Sequence, residues 1–189
     1  MSKLKKALCL LLAVILSLTV ISLISVSILK VLYPTRYAEI VETTAREHGI
    51  SPAFVYAVIE CESGFDKKAV SSVGARGLMQ IMPETFEWLQ NLSDGEITHS
   101  HSELFNPEIN IKYGTYFLSY LLSHYKSKEK LAVAAYNAGS ANVDSWLSDA
   151  QYSADGMNLT SIPFAETKQY VERVENTKAV YESLYYDNN

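Results

Sequence analysis

The chain begins with an unbroken apolar run. After Lys3, Lys5 and Lys6, the stretch from Ala7 to Leu29 carries no charged residue and is mostly Leu, Ile, Val and Ala. As a helix it would be roughly 34 Å long, enough to span a bilayer core and longer than the apolar part of a secretory signal, about 7–15 residues. This predicts a single N-terminal transmembrane helix within residues 1–30, with the three leading lysines cytoplasmic and everything after Lys30 outside the cell membrane. A cleaved signal is the alternative, and Ser25-Val26-Ser27 is its weak cleavage candidate. Lys6-Ala7-Leu8 before Cys9 lacks the small residues that lipid attachment requires, so Cys9 is expected to be an unmodified apolar residue.

Past this run the apolar spacing changes. Residues 31–36, chiefly Tyr33 to Arg36, read as a short linker, and residues 37–189 as one domain. Tyr37 to His48 has helical character and stops at Gly49. Ser51 is a candidate N-cap and Pro52 suits the first helical position, so Phe54 to Glu62 should be helical until Gly64 ends it. Asn106-Pro107-Glu108 opens another helix, with Tyr113, Phe117, Leu121 and Tyr125 at helical spacing. A helix from Leu131 to Asn137 stops near Gly139, and a last one, Phe164 to about Tyr185, aligns Tyr170, Val174, Tyr181 and Leu184. No run alternates long enough to require a sheet, and no internal repeat is present, so the fold class is mainly α.

Composition narrows the function. Of 189 residues, 48% are hydrophobic and 11% aromatic, which suits one domain with a real core. Beyond residue 30 there are 12 basic against 21 acidic groups, so the basic footprint of a nucleic-acid binder is missing. Cys61 is the only cysteine there, so no disulfide can form within the domain.

On the helix from Ser51, Val55, Val58, Ile59 and Glu62 share one face, so a carboxylate ends an apolar stripe. A carboxyl desolvated by such neighbours has its pKa raised and can remain protonated near neutrality, as a general acid must. Glu60 lies about 200° away around the helix and should be solvated. A surface charge remains the plain alternative for Glu62 until the following motifs are considered.

Those motifs are Glu62-Ser63-Gly64-Phe65, Ser72-Val73-Gly74-Ala75-Arg76-Gly77-Leu78-Met79-Gln80-Ile81-Met82-Pro83 and Ala134-Ala135-Tyr136-Asn137-Ala138-Gly139. With Asn106-Pro107, Asn110-Ile111, Gly114 and Glu166-Thr167-Lys168-Gln169-Tyr170-Val171, they resemble the soluble lytic transglycosylase family, relatives of goose-type lysozyme that cut peptidoglycan. The resemblance runs from about Gly49 to about Val180. It implies a lysozyme-like domain in which Glu62 is the catalytic acid and base, with Ser63 beside it in the cleft. Gly77, Leu78, Met79 and Gln80 would form the wall that meets the sugar, Gly77 by letting the main chain come close to the ligand. Tyr136 would hydrogen-bond the Glu62 carboxyl, Asn137 would support the cleft, and Tyr170 would line it or simply pack in the core.

Most glycosidases use two carboxyl groups, yet Glu60, Asp66 and Glu84 have no strong claim as the second. The family's implied answer is one glutamate used twice. It protonates the oxygen leaving C1 of N-acetylmuramic acid, then takes the proton of that sugar's C6 hydroxyl, which closes a 1,6-anhydro ring. A hydrolytic muramidase is one alternative, and a non-catalytic glycan-binding subunit of an envelope or secretion assembly is another. No cofactor is implied. His99-Ser100-His101 lacks a ligand framework for a metal, and Cys61 has no histidine motif to make it a nucleophile. The expected partners are peptidoglycan strands and, through the first helix, the membrane.

Overall fold

The computed structural model of the chain describes residues 2–187, without the side chains of Lys3 and residues 7–9. The expectation for Cys9 therefore lies outside the described side chains. Among the described residues there is no strand, only two isolated bridges, Val70 with Arg76 and Arg76 with Ile81, so the fold is mainly α as the patterning predicts.

Helix α1, Lys3–Leu32, is long and apolar enough to cross a membrane, and its apolar side chains pack on no other part of the chain for most of its length. Four of its hydroxyls are satisfied internally: Ser17, Thr19, Ser25 and Ser27 each donate to a carbonyl one turn back, so these four present no unpaired donor to an apolar solvent. The helix runs two residues into the expected linker. What remains of that linker is fastened to the domain. The Tyr185 hydroxyl donates to the Tyr33 carbonyl (2.9 Å), the Tyr181 hydroxyl donates to the Pro34 carbonyl (3.1 Å), and the Tyr33 and Tyr181 rings meet edge to face.

The domain comprises α2 (Ala38–Glu47), α3 (Pro52–Ser63), α4 (Pro83–Asp94), a 3-10 turn (His101–Phe105), α5 (Pro107–His124), α6 (Glu129–Ala138), α7 (Ser140–Ser148) and α8 (Ala165–Tyr181). A π turn, Glu182–Tyr186, continues α8 to about where the periodicity placed its end. Helix α3 is the axis of the domain, since every residue from Ala53 to Ile59 is at most 1% exposed. It packs chiefly on α8, and α6 closes on both α8 and α5. Pro52 sits at its first turn and Gly64, left-handed at φ 56°, ends it; Ser51 occupies the cap position without a side-chain bond. Asn106 does cap α5, accepting from the Glu108 amide.

Two helices were not anticipated. Pro83 starts α4 rather than making a turn, which puts Phe86, Leu89 and Gln90 in the interior. Gly139 both ends α6 and precedes α7, whose Val143 and Trp146 are buried.

Candidate active site

Glu62 is the penultimate residue of α3, where the buried stripe of that helix reaches the edge of the core. Burial raises its pKa to about 7; the Tyr170 hydroxyl and the charge of Arg173 oppose that rise, and none of these influences is a carboxylate. The Tyr170 hydroxyl, carried by α8, donates to Glu62 Oε1 at 2.6 Å. Tyr170 is itself only 2% exposed, so it is a core residue and a carboxyl partner at once. A half-protonated glutamate near neutral pH can both give and receive a proton.

Glu60 and Glu62 have different surroundings, as their helical phase requires, but Glu60 is half-buried rather than solvated. Burial raises its pKa and Arg36 partly offsets the effect. Cys61 lies between them, its thiol pushed up by burial and directed to Thr177 Oγ1 at 3.7 Å, the reverse of an activated nucleophile.

The segment Gly77–Gln80 folds against the end of α3 as a tight loop, closed by paired Arg76 and Ile81 backbones (3.0 and 3.1 Å). Three side chains from elsewhere fix it. Ser63 Oγ donates to the Leu78 carbonyl at 2.8 Å, which ties the loop to the residue after Glu62. Fully buried Asn110 of α5 accepts from the Met79 amide (2.7 Å) and donates to the carbonyls of Arg76 (2.9 Å) and Leu104 (2.8 Å). The Tyr136 hydroxyl of α6 donates to the Met79 carbonyl at 2.7 Å.

These contacts change several expected roles. Tyr136 holds the Met79 carbonyl and not the Glu62 carboxyl; the partner expected for it belongs to Tyr170. The resemblance put a tyrosine hydroxyl at the site but did not say which oxygen it reaches. The Leu78 and Met79 side chains are wholly buried, so only main chain of those residues is available to a ligand. Gln80, left-handed at φ 47°, turns its amide nitrogen back to the Ala69 carbonyl (3.1 Å) and the Gly77 carbonyl (2.9 Å), so that group braces the loop instead of meeting a sugar. Asn137 is exposed, and its carbonyl oxygen accepts from Thr167 Oγ1 at 2.7 Å, joining α6 to α8.

Gly77 is required for a different close approach than the one expected. A Cβ there would overlap the Leu104 carbonyl oxygen and the Asn110 amide, and φ is 77°. Gly77→Ala is therefore expected to cost about 1–3 kcal/mol of stability through overpacking of a tight site. A melting curve checks this, and an unchanged midpoint would mean that the loop yields. Asn110, the polar position in Ile109-Asn110-Ile111, is the site residue whose role the sequence did not reveal; its signals were membership in the resembling motifs and a polar side chain on a buried helix face. The two histidines of the 99–101 segment each meet a carboxylate, His99 with Glu103 (3.0 Å) and His101 with Glu87 (2.7 Å).

Residues 39–157 match the protein family described as the Transglycosylase SLT domain. The chain is 35% identical over 150 residues to the soluble lytic murein transglycosylase of Salmonella typhimurium, covering 79% of this chain and 23% of that protein. It is 31% identical over 169 residues to the membrane-bound lytic murein transglycosylase C of Edwardsiella ictaluri, covering 79% of this chain and 47% of the relative. The chain thus spans about a quarter of the soluble relative and about half of the membrane-bound one. An X-ray structure of an inactive glutamate-to-glutamine mutant of the lytic transglycosylase Slt from Pseudomonas aeruginosa superposes with a TM-score of 0.72 at 31% identity, over 82% of this chain and 25% of that one. The lysozyme-like architecture implied by the motifs is the one found.

Proposed function

Because this chain belongs to the Transglycosylase SLT domain family, we propose that it is a peptidoglycan lytic transglycosylase, a lyase that breaks the bond from N-acetylmuramic acid to N-acetylglucosamine. The observation that carries the reading is a partly buried carboxyl with a pKa raised to about 7 and a tyrosine hydroxyl fixed on it. Protonated Glu62 gives its proton to the glycosidic oxygen as the bond to C1 breaks. The carboxylate so formed accepts the proton of the same sugar's C6 hydroxyl while that oxygen bonds to C1. Glu62 ends protonated again, no water is consumed, and the product ends in a 1,6-anhydro ring. Attack within one ring gains from high effective concentration, which offsets the lack of a second carboxylate.

The loop at Gly77–Gln80 supports this reading by its rigidity. Its backbone is bonded to α3, α5 and α6, so groups at the cleft wall do not have to be ordered when a strand binds. Mass spectrometry of digested peptidoglycan tests the proposal: anhydro products are lighter than hydrolytic ones by one water. Hydrated ends would make the protein a muramidase, and no cleavage would favour a binding subunit.

The proposal extends to location. Helix α1 holds the protein in the cell membrane as a single span, with Lys3, Lys5 and Lys6 on the cytoplasmic side and the domain outside. Removing residues 1–30 leaves the bonds of Tyr33 and Pro34 to Tyr185 and Tyr181 in place. The shortened chain is therefore expected to be soluble, folded and active, as gel filtration and the digestion assay would show. An insoluble product would make α1 part of the fold.

A further inference from the structure

A ribbon of aromatic rings leads from the loop beside Glu62 to the surface. Tyr136, fixed to the Met79 carbonyl, lies 5.0 Å by ring centroids from Phe117, and Phe117 lies 6.1 Å from Trp88 on α4. Tyr120 meets Trp88 from a second direction at 4.9 Å. Both contacts with the indole are nearly perpendicular, 81° and 83°, so Phe117 and Tyr120 set its plane between them. The indole nevertheless remains 40% exposed, and Leu92, one turn further along α4, is 46% exposed. A large ring held in one orientation while still facing water is a preorganised flat surface.

The chemistry of the ring points to its occupant. A β-linked hexosamine carries its polar groups equatorially, so each face of the pyranose is a set of axial C–H bonds. That face is apolar and slightly positive, and it complements the negative face of an indole while the hydroxyls and acetamido group stay at the rim. The ribbon is also continuous with the loop at the reacting bond. We propose that Trp88 is a stacking platform for a sugar ring of the same glycan strand whose linkage lies at Glu62, at a distance from that linkage. The proposal rests on the peptidoglycan reading above and adds to it the surface that selects extended strands.

Trp88 and Trp146 are the two tryptophans of the chain, and Trp146 is 6% exposed, so Trp146→Phe leaves Trp88 as the sole indole reporter. The full chain carrying Glu62→Gln and Trp146→Phe, in detergent micelles, is titrated with peptide-free N-acetylglucosamine–N-acetylmuramic acid strands. Saturable quenching or a blue shift of Trp88 emission is expected. In parallel, Trp88→Ala on an otherwise wild-type chain should raise KM for long strands about tenfold with kcat nearly held, and Trp88→Tyr should restore most of the loss. If wild type cleaves strands while Trp88 emission stays silent and KM is unmoved, the platform is wrong and the activity stands. A fall in kcat or melting temperature in Trp88→Ala with unaltered KM makes the ring structural and overturns it. An emission change that follows protein concentration without glycan means that a second copy covers the ring, which also overturns it. If wild type cleaves nothing, the activity reading fails, and the titration alone then decides the platform: a saturable response upholds it and silence removes it.

Discussion

Glu62→Gln is expected to remove muropeptide release almost entirely, by about 10²–10⁴-fold or more, because one group supplies both the acid and the base step. Glutamine keeps the shape and can still accept from the Tyr170 hydroxyl, so the loss would be chemical. Stability supplies the control, and its sign is fixed by the raised pKa. Glu62 goes from 4.5 when unfolded to about 7 in the fold, so its contribution to stability is fully present below 4.5 and is lost as pH rises through about 7. At pH 8 the buried carboxylate is a cost that glutamine removes, and Glu62→Gln should melt no lower than wild type. Glu60→Gln, on the face toward Arg36, should leave the rate near wild type. Wild-type rates from Glu62→Gln would reject the assignment, and a loss from Glu60→Gln as large as that from Glu62→Gln would move the chemistry to the other face of α3.

The elements legible in the sequence are those whose signal is local. An apolar run without charge gives α1, and Pro52 with Gly64 brackets α3. Helix α4 was hidden because a proline that starts a helix and one that makes a turn look alike until the burial of Phe86 and Leu89 is known. Helix α7 was hidden because Gly139, a stop signal, is shared by two consecutive helices. The same division holds at the site. The apolar stripe on α3 ends at Glu62 and the motifs' resemblance singled that residue out, but the reason for Gly77 lies on α5 and the 3-10 turn, in Asn110 and the Leu104 carbonyl, and no spacing along the chain expresses that contact. The linker expected at residues 31–36 is short of polar residues at its start and is bound by tyrosines about 150 positions away, so local composition could not reveal that it is held.

Tyr170→Phe should produce the second-largest effect, and it separates Tyr170 from Tyr136, the tyrosine that the family resemblance implied would bond the Glu62 carboxyl. The variant keeps the buried ring and removes the hydroxyl that holds Glu62 Oε1 at 2.6 Å. A hydrogen bond to a charged group is worth about 1.5–3 kcal/mol, so the expected loss in kcat/KM is about 10- to 100-fold. The diagnostic is the pH profile. The hydroxyl favours the carboxylate and lowers the Glu62 pKa against the larger rise from burial. Removing it must raise that pKa beyond about 7, and the limb where activity falls with loss of the acid form must move to higher pH. Tyr136→Phe instead releases the Met79 carbonyl, which loosens the loop, so its loss should appear in KM and melting temperature with little movement of that limb. Products of both variants should remain anhydro sugars, because neither hydroxyl chooses between water and the C6 oxygen. A Tyr170→Phe enzyme with a reduced rate and an unmoved limb would make Tyr170 a packing residue. If the limb moved in Tyr136→Phe instead, Tyr136 would be the tyrosine that bonds the carboxyl during turnover.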